Sequence, residues 1–96
     1  MSAQIKAVII DDEKLARNSL RLLLDNYCPN VDVIGEGWDK ISIRKLFKEL
    51  QPNIVFVDIQ LGNSTIFDMI PDLGTMKFKI IFISAHDDYA IKGYKY

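Results

Sequence analysis

Two sets of carboxylates each close a short apolar run: Asp11-Asp12-Glu13 follows Ile5 to Ile10, and Asp58 follows Ile54 to Val57. If the two runs are neighbouring parallel strands, their acids converge at one edge of a sheet. Like charges packed together are costly unless a cation or a proton intervenes, so such a convergence marks a site. Clustered carboxylates form a hard, oxygen-rich donor set suited to Mg2+ or Mn2+. A carboxylate is also a nucleophile toward phosphorus, giving an acyl phosphate. A divalent ion would then offset the repulsion between these acids and an incoming phosphoryl group. Ser84 closes a further apolar run and offers a hydroxyl to a phosphoryl oxygen. The plain alternative is that acids begin loops and helices, where they complement the helix dipole. That alternative competes for Asp11-Asp12-Glu13 alone and weakens once Asp58 and Ser84 stand at matching positions.

The elements that must position these groups alternate along the whole chain. Ile5 to Ile10 reads as a strand buried on both faces, being apolar and β-branched. From Glu13 to Asn26 the spacing predicts a helix with Ala16, Leu20, Leu23 and Tyr27 on one face and Leu24 beside them. Pro29-Asn30 breaks it. Val31 to Glu36 reads as a second strand, Asp39 to Leu50 as a helix apolar at Ile43, Leu46, Phe47 and Leu50, and Ile54 to Val57 as a third strand. After a loop over 59–64, a weaker helix is expected from Thr65 to Leu73, shortened by Pro71 and ended by Gly74. Lys79 to Ser84 reads as a fourth strand, and a last helical segment runs from Asp87 toward Tyr94. This β-α repetition places the chain in the α/β class: three layers, a parallel sheet with helices on both faces. Ligands in such sheets sit at the carboxyl ends of the strands, where Asp11, Asp12, Asp58 and Ser84 all fall.

Composition bounds the rest. The 96 residues make one domain, 1–96, with 49% hydrophobic and 26% charged residues and no room for a second core. A net charge of −1 gives no basic footprint for nucleic acid. The apolar runs are too short to span a membrane, and the first residues lack the features of a signal peptide. The single cysteine, Cys28, forms no internal disulfide and fits a reducing cytoplasm; it reads as a packed or half-exposed thiol. His86, without a second nitrogen or sulfur ligand nearby, reads as a loop or cap residue. Gly35-Glu36-Gly37 is a fragment of a dinucleotide fingerprint after the wrong strand, and reads as turn chemistry. Trp38 reads as partial cover for the second helix.

Three blocks carry a family resemblance: Ala7-Val8-Ile9-Ile10-Asp11-Asp12-Glu13, Asn53-Ile54-Val55-Phe56-Val57-Asp58-Ile59-Gln60-Leu61, and Ile81-Phe82-Ile83-Ser84-Ala85-His86-Asp87. In this order and spacing they resemble the signature blocks of response-regulator receiver domains, over essentially the whole chain. The run from Ile83 to Lys92 is most similar to receivers that precede LytTR-type DNA-binding domains. The resemblance implies a flavodoxin-like strand order 2-1-3-4-5. It implies Asp58 as phosphoacceptor for a sensor histidine kinase and Ser84 as the switch hydroxyl. Ala85 would be the small residue that leaves access to the site. Mg2+ (or Mn2+) would be bound by Asp12, Asp58 and the backbone carbonyl of Gln60, and by Asp11 through water. Glu13 is expected to start a helix rather than to bind metal. The protein would be a cytoplasmic signalling switch rather than an enzyme, controlling an output domain beyond Tyr96, of LytTR DNA-binding kind.

Two departures from the family pattern accompany this. Leu61-Gly62-Asn63-Ser64 replaces the usual Pro-Gly after the phosphoacceptor block. The family's strand five, with its lysine and aromatic switch residue, and helix five are absent from this chain, and no other lysine, Lys92 and Lys95 included, stands in the right place. The chain therefore reads as a fragment whose fourth strand is an exposed apolar edge open to self-association. Tyr89, Tyr94 and Tyr96 are either output contacts or core residues. Two rival functions stay open at this point: a receiver-like interaction module that works without phosphorylation, and a metal-dependent phosphohydrolase. The second is weakened because Gln60 stands where a second acid would be needed.

Overall fold

The computed structural model describes residues 4–58 and 78–83 in full and residues 93–95 as backbone. Its elements are β1 (Ile5–Ile10), α1 (Lys14–Tyr27), β2 (Val31–Gly37), α2 (Lys40–Glu49), β3 (Ile54–Asp58), β4 (Lys79–Ile83) and β5 (Gly93–Lys95). They form one sheet of order β2-β1-β3-β4-β5. The first four strands in that order run parallel, while β5 lies antiparallel to β4.

Because side chains of a strand alternate between faces, each apolar run feeds two cores. Val8 and Ile10 of β1, Val55 and Val57 of β3, and Ile80 of β4 pack with Ile43 and Leu46 of α2 on one face. Ala7, Ile9, Phe56 and Ile83 pack with Leu20 and Leu24 of α1 on the other. The expected three-layer arrangement follows from this division. The continuous apolar runs Ala7 to Ile10 of β1 and Ile54 to Val57 of β3 are what two covered faces require.

Helix α2 begins where the sequence placed it. Asp39 Oδ1 accepts the Ser42 amide at 2.7 Å, and Ser42 Oγ accepts the Asp39 amide at 3.1 Å, so two otherwise orphaned donors are satisfied reciprocally. In α1 the buried seam differs from the expected stripe. Leu20 and Leu24 are buried, whereas Leu23 and Tyr27 are exposed. The run Leu22-Leu23-Leu24 makes several faces apolar, and the face that turns inward is the one that also lets Arg17 and Arg21 pair with Glu36 of β2.

Gly35-Glu36-Gly37 is strand, not turn. Between Val33 and Gly35 the register with β1 slips by one residue, a bulge in β2. Both glycines allow α2 to approach closely. A Cβ on Gly37 would lie 2.8 Å from Ile43 Cγ1 and 3.4 Å from its Cα, and one on Gly35 would lie 2.8 Å from Leu50 Cδ1.

The other end of the sheet also departs from expectation. β4 is not an open edge over Ile81–Ile83, because these residues pair with Gly93–Lys95. The parallel order 2-1-3-4 stands; the fifth place is taken by a three-residue antiparallel segment that the sequence had assigned to the end of a helix. Gly93 is a poor helix residue and Tyr94 a good strand residue, and an unpaired ladder beside them favours the extended form. A very short edge strand leaves little template for pairing with other chains. The loop expected over 59–64, the helix over 65–73 and the helical segment over 87–92 lie outside the described residues.

Candidate functional site

Parallel pairing of β1 with β3 sets Ile9 beside Phe56 and Ile10 beside Val57. Carrying that register on by one residue sets Asp11 beside Asp58. Both share the strand parity of Ile9 and Phe56, so they leave the sheet on the same side. The two are buried, at 7% and 8% exposure, and Asp12 next to them is exposed. One carboxylate oxygen from each of Asp11, Asp12 and Asp58 lies within 4.8 Å of the others, the group of potential metal ligands found among the described residues. The convergence expected from sequence is therefore present in the fold.

Asp11 is held at every polar atom of its main chain. Its N–H donates to Gly37 O at 3.0 Å, tying β1 to the end of β2. Its carbonyl accepts from Arg17 Nη1 at 2.8 Å, and its Oδ1 accepts the Glu13 amide at 2.9 Å. Glu13 stands at the N-cap position of α1, as a helix-start residue should. Burial pushes the Asp11 carboxyl up to about 6, the Glu13 amide opposes this, and the neighbouring charges of Asp58 and Asp12 add to the rise. Such crowding of acids is what a divalent cation relieves. Three hard oxygen donors, two buried and one open to solvent, fit Mg2+ or Mn2+ in charge and donor type. Gln60, Ser84, Ala85 and His86 lie outside the described residues.

A second constellation beside the acids escaped the sequence reading. Arg17 Nε donates to Glu36 Oε1 at 2.8 Å, and Arg21 Nε donates to Glu36 Oε2 at 3.1 Å. Burial alone would raise Glu36, but the two guanidinium groups outweigh it and hold the carboxyl below its ordinary value. The Arg17 guanidinium also lies 5.3 Å from the centre of the Trp38 ring, so Trp38 covers Arg17 of α1. The available signal was the spacing of Arg17 and Arg21, one turn apart on α1, together with Glu36 at a strand end. Cys28, expected to be packed or half-exposed, is exposed, and no described helix is long and apolar enough to cross a membrane.

The match to known proteins agrees with this geometry. Residues 7–96 match the model of the response regulator receiver domain. An uncharacterized response regulatory protein of Vibrio parahaemolyticus is 37% identical over 93 residues, covering 95% of this chain and 38% of the relative. Sensory transduction protein LytT of Bacillus anthracis is 37% identical over 95 residues, covering 95% of this chain and 37% of its own length. Among solved structures, the signal receiver domain of the response regulator NarL from Mycobacterium tuberculosis superposes with a TM-score of 0.73 at 22% identity, over 92% of this chain and 72% of that one. The chain belongs to the response regulator receiver family, the signalling domains of two-component systems. It spans less than two fifths of the length of these curated relatives.

Proposed function

We propose that this receiver is a phosphorylation-controlled switch in which Asp58 accepts a phosphoryl group from a sensor histidine kinase. The observation that carries the reading is the convergence of Asp11, Asp12 and Asp58 at the carboxyl edge of the sheet, in a chain whose family is that of two-component receivers. An Asp58 carboxylate oxygen attacks phosphorus, the bond from phosphorus to the donor's nitrogen breaks, and the departing imidazole takes up a proton. Asp12, Asp58 and the backbone carbonyl of Gln60 would hold the cation directly, and Asp11 would hold it through water. When bound, Mg2+ or Mn2+ neutralises charge between the acids and the phosphoryl oxygens. The Ser84 hydroxyl bonds a phosphoryl oxygen and couples the event to the surrounding surface.

The chain is thus a signalling domain that assists its own phosphoryl transfer, not an enzyme with an external product. Relatives named as transcriptional regulators, BtsR among them, support an output in transcription, through a DNA-binding domain elsewhere in the protein. A cytoplasmic location fits that role.

Beryllofluoride, a phosphoryl mimic, tests the reading. With Mg2+ present, a bound 19F signal should form, vanish on chelation of the metal, and be missing in Asp58→Asn. A bound signal that survives in Asp58→Asn would contradict the assignment. So would the lack of any signal in the whole protein.

A further inference from the structure

Asp11 and Asp12 follow a strand that ends at Ile10, so their main chain calls for restraint beyond the β1–β3 ladder. The structure supplies that restraint from outside the ladder. Gly37 takes the Asp11 N–H and the Arg17 guanidinium takes the Asp11 carbonyl. The same guanidinium is fixed to Glu36, at 2.8 Å, and its side chain is only 11% exposed. Trp38 lies across it. A planar fork of donors can serve a carbonyl and a carboxylate at once while presenting a face to an aromatic ring; a lysine ammonium cannot. Arg21 shares Glu36 and has no contact with Asp11 among those described, so it provides an internal comparison.

We propose that Arg17 is a positioning residue for the acidic site, clamping the Asp11 carbonyl to Glu36 of β2 so that Asp11 and Asp12 are presented toward Asp58. The inference rests on the reading of the acids as a metal and phosphoryl site, and deepens it. Arg17 touches neither metal nor phosphoryl group; it acts through the main chain of its neighbours, as outer-shell partners of metal ligands do. Glu36 keeps the guanidinium oriented, and Trp38 excludes water from one side of it.

Arg17→Ala, Arg17→Lys and Arg21→Ala in the whole protein test this by two readouts. The first is amide NMR without metal. Both Arg17 variants should shift the Asp11, Asp12 and Glu13 amides and speed exchange of the Asp11 N–H, with the core amides of Val55 and Ile43 unchanged. Arg21→Ala should leave Asp11 to Glu13 as they were. The second is Mn2+ affinity by paramagnetic resonance, expected to fall about tenfold in Arg17→Ala and to stay within about twofold in Arg21→Ala. Equal effects of Arg17→Ala and Arg21→Ala would overturn the proposal. So would unshifted Asp11 to Glu13 amides, or the parent's Mn2+ affinity, in a folded Arg17 variant. Should Arg17→Ala fail to fold, Arg17→Lys decides. A parent that binds no Mn2+ would overturn the metal reading instead, and the amide comparison alone would then decide the role of Arg17.

Discussion

A carboxyl group that is costly to ionise is retained at Asp11, and the cost has a measurable sign. The folded value of about 6 lies above the ordinary 3.8. The folded state therefore holds a proton that the unfolded chain has lost, and stability falls as pH rises from about 4 to about 6. At neutral pH the penalty is of order 2–3 kcal/mol. Asp11→Asn should accordingly raise the urea midpoint at pH 7 without metal and flatten its dependence over this window. A variant as pH-dependent as the parent would place the titrating group elsewhere. Since a cation and the proton compete for the same oxygens, Mn2+ affinity of the parent should strengthen as pH rises through about 6, measured by titration at fixed ionic strength. The acids were legible in sequence because a strand ending in carboxylate is a local pattern. The Arg17–Glu36 clamp was not, since it joins residues 19 apart whose meeting depends on how α1 is rotated over the sheet.

At the scale of elements, placement was legible and orientation was not. The Pro29-Asn30 break and the apolar spacing set the ends of α1, β2 and α2 to within a residue or two. For α1, the three consecutive leucines offered competing stripes; Leu20 and Leu24 turn into the core while Arg17 and Arg21 pair with Glu36 of β2. For Gly35 and Gly37, the sequence suggested a turn; the true reason for glycine is the closeness of α2. Gly37→Val should therefore destabilise the fold by about 1–3 kcal/mol, since the buried side chain of Ile43 stands in the way. Ile43→Ala, which empties a fully buried position, should cost about 2–5 kcal/mol. Both are read from urea unfolding. A cost near zero for either would mean that α2 does not pack on β2 and β1 as described.

At the scale of the whole molecule, the sheet order β2-β1-β3-β4-β5 brings two distant strand ends together and so builds the acidic site. The same order makes β4 depend on whatever lies beside it. The antiparallel Gly93–Lys95 segment now pairs with Ile81–Ile83, a long-range pairing that no local pattern in the sequence announces. Removing residues 93–96 should uncover that apolar ladder and promote association with rising concentration, followed by sedimentation velocity. An unchanged sedimentation profile would show that β5 is not what shields it. Membership of the receiver family and the converging acids together make the carboxylate of Asp58 the centre of the account. Its most direct test is chemical. The protein is incubated with acetyl phosphate and Mg2+, any acyl phosphate is reduced with borohydride, and the modified residue is mapped by peptide mass spectrometry. Reduction should fall at Asp58 and depend on Mg2+; reduction at another residue, or none in the whole protein, would contradict this role of Asp58.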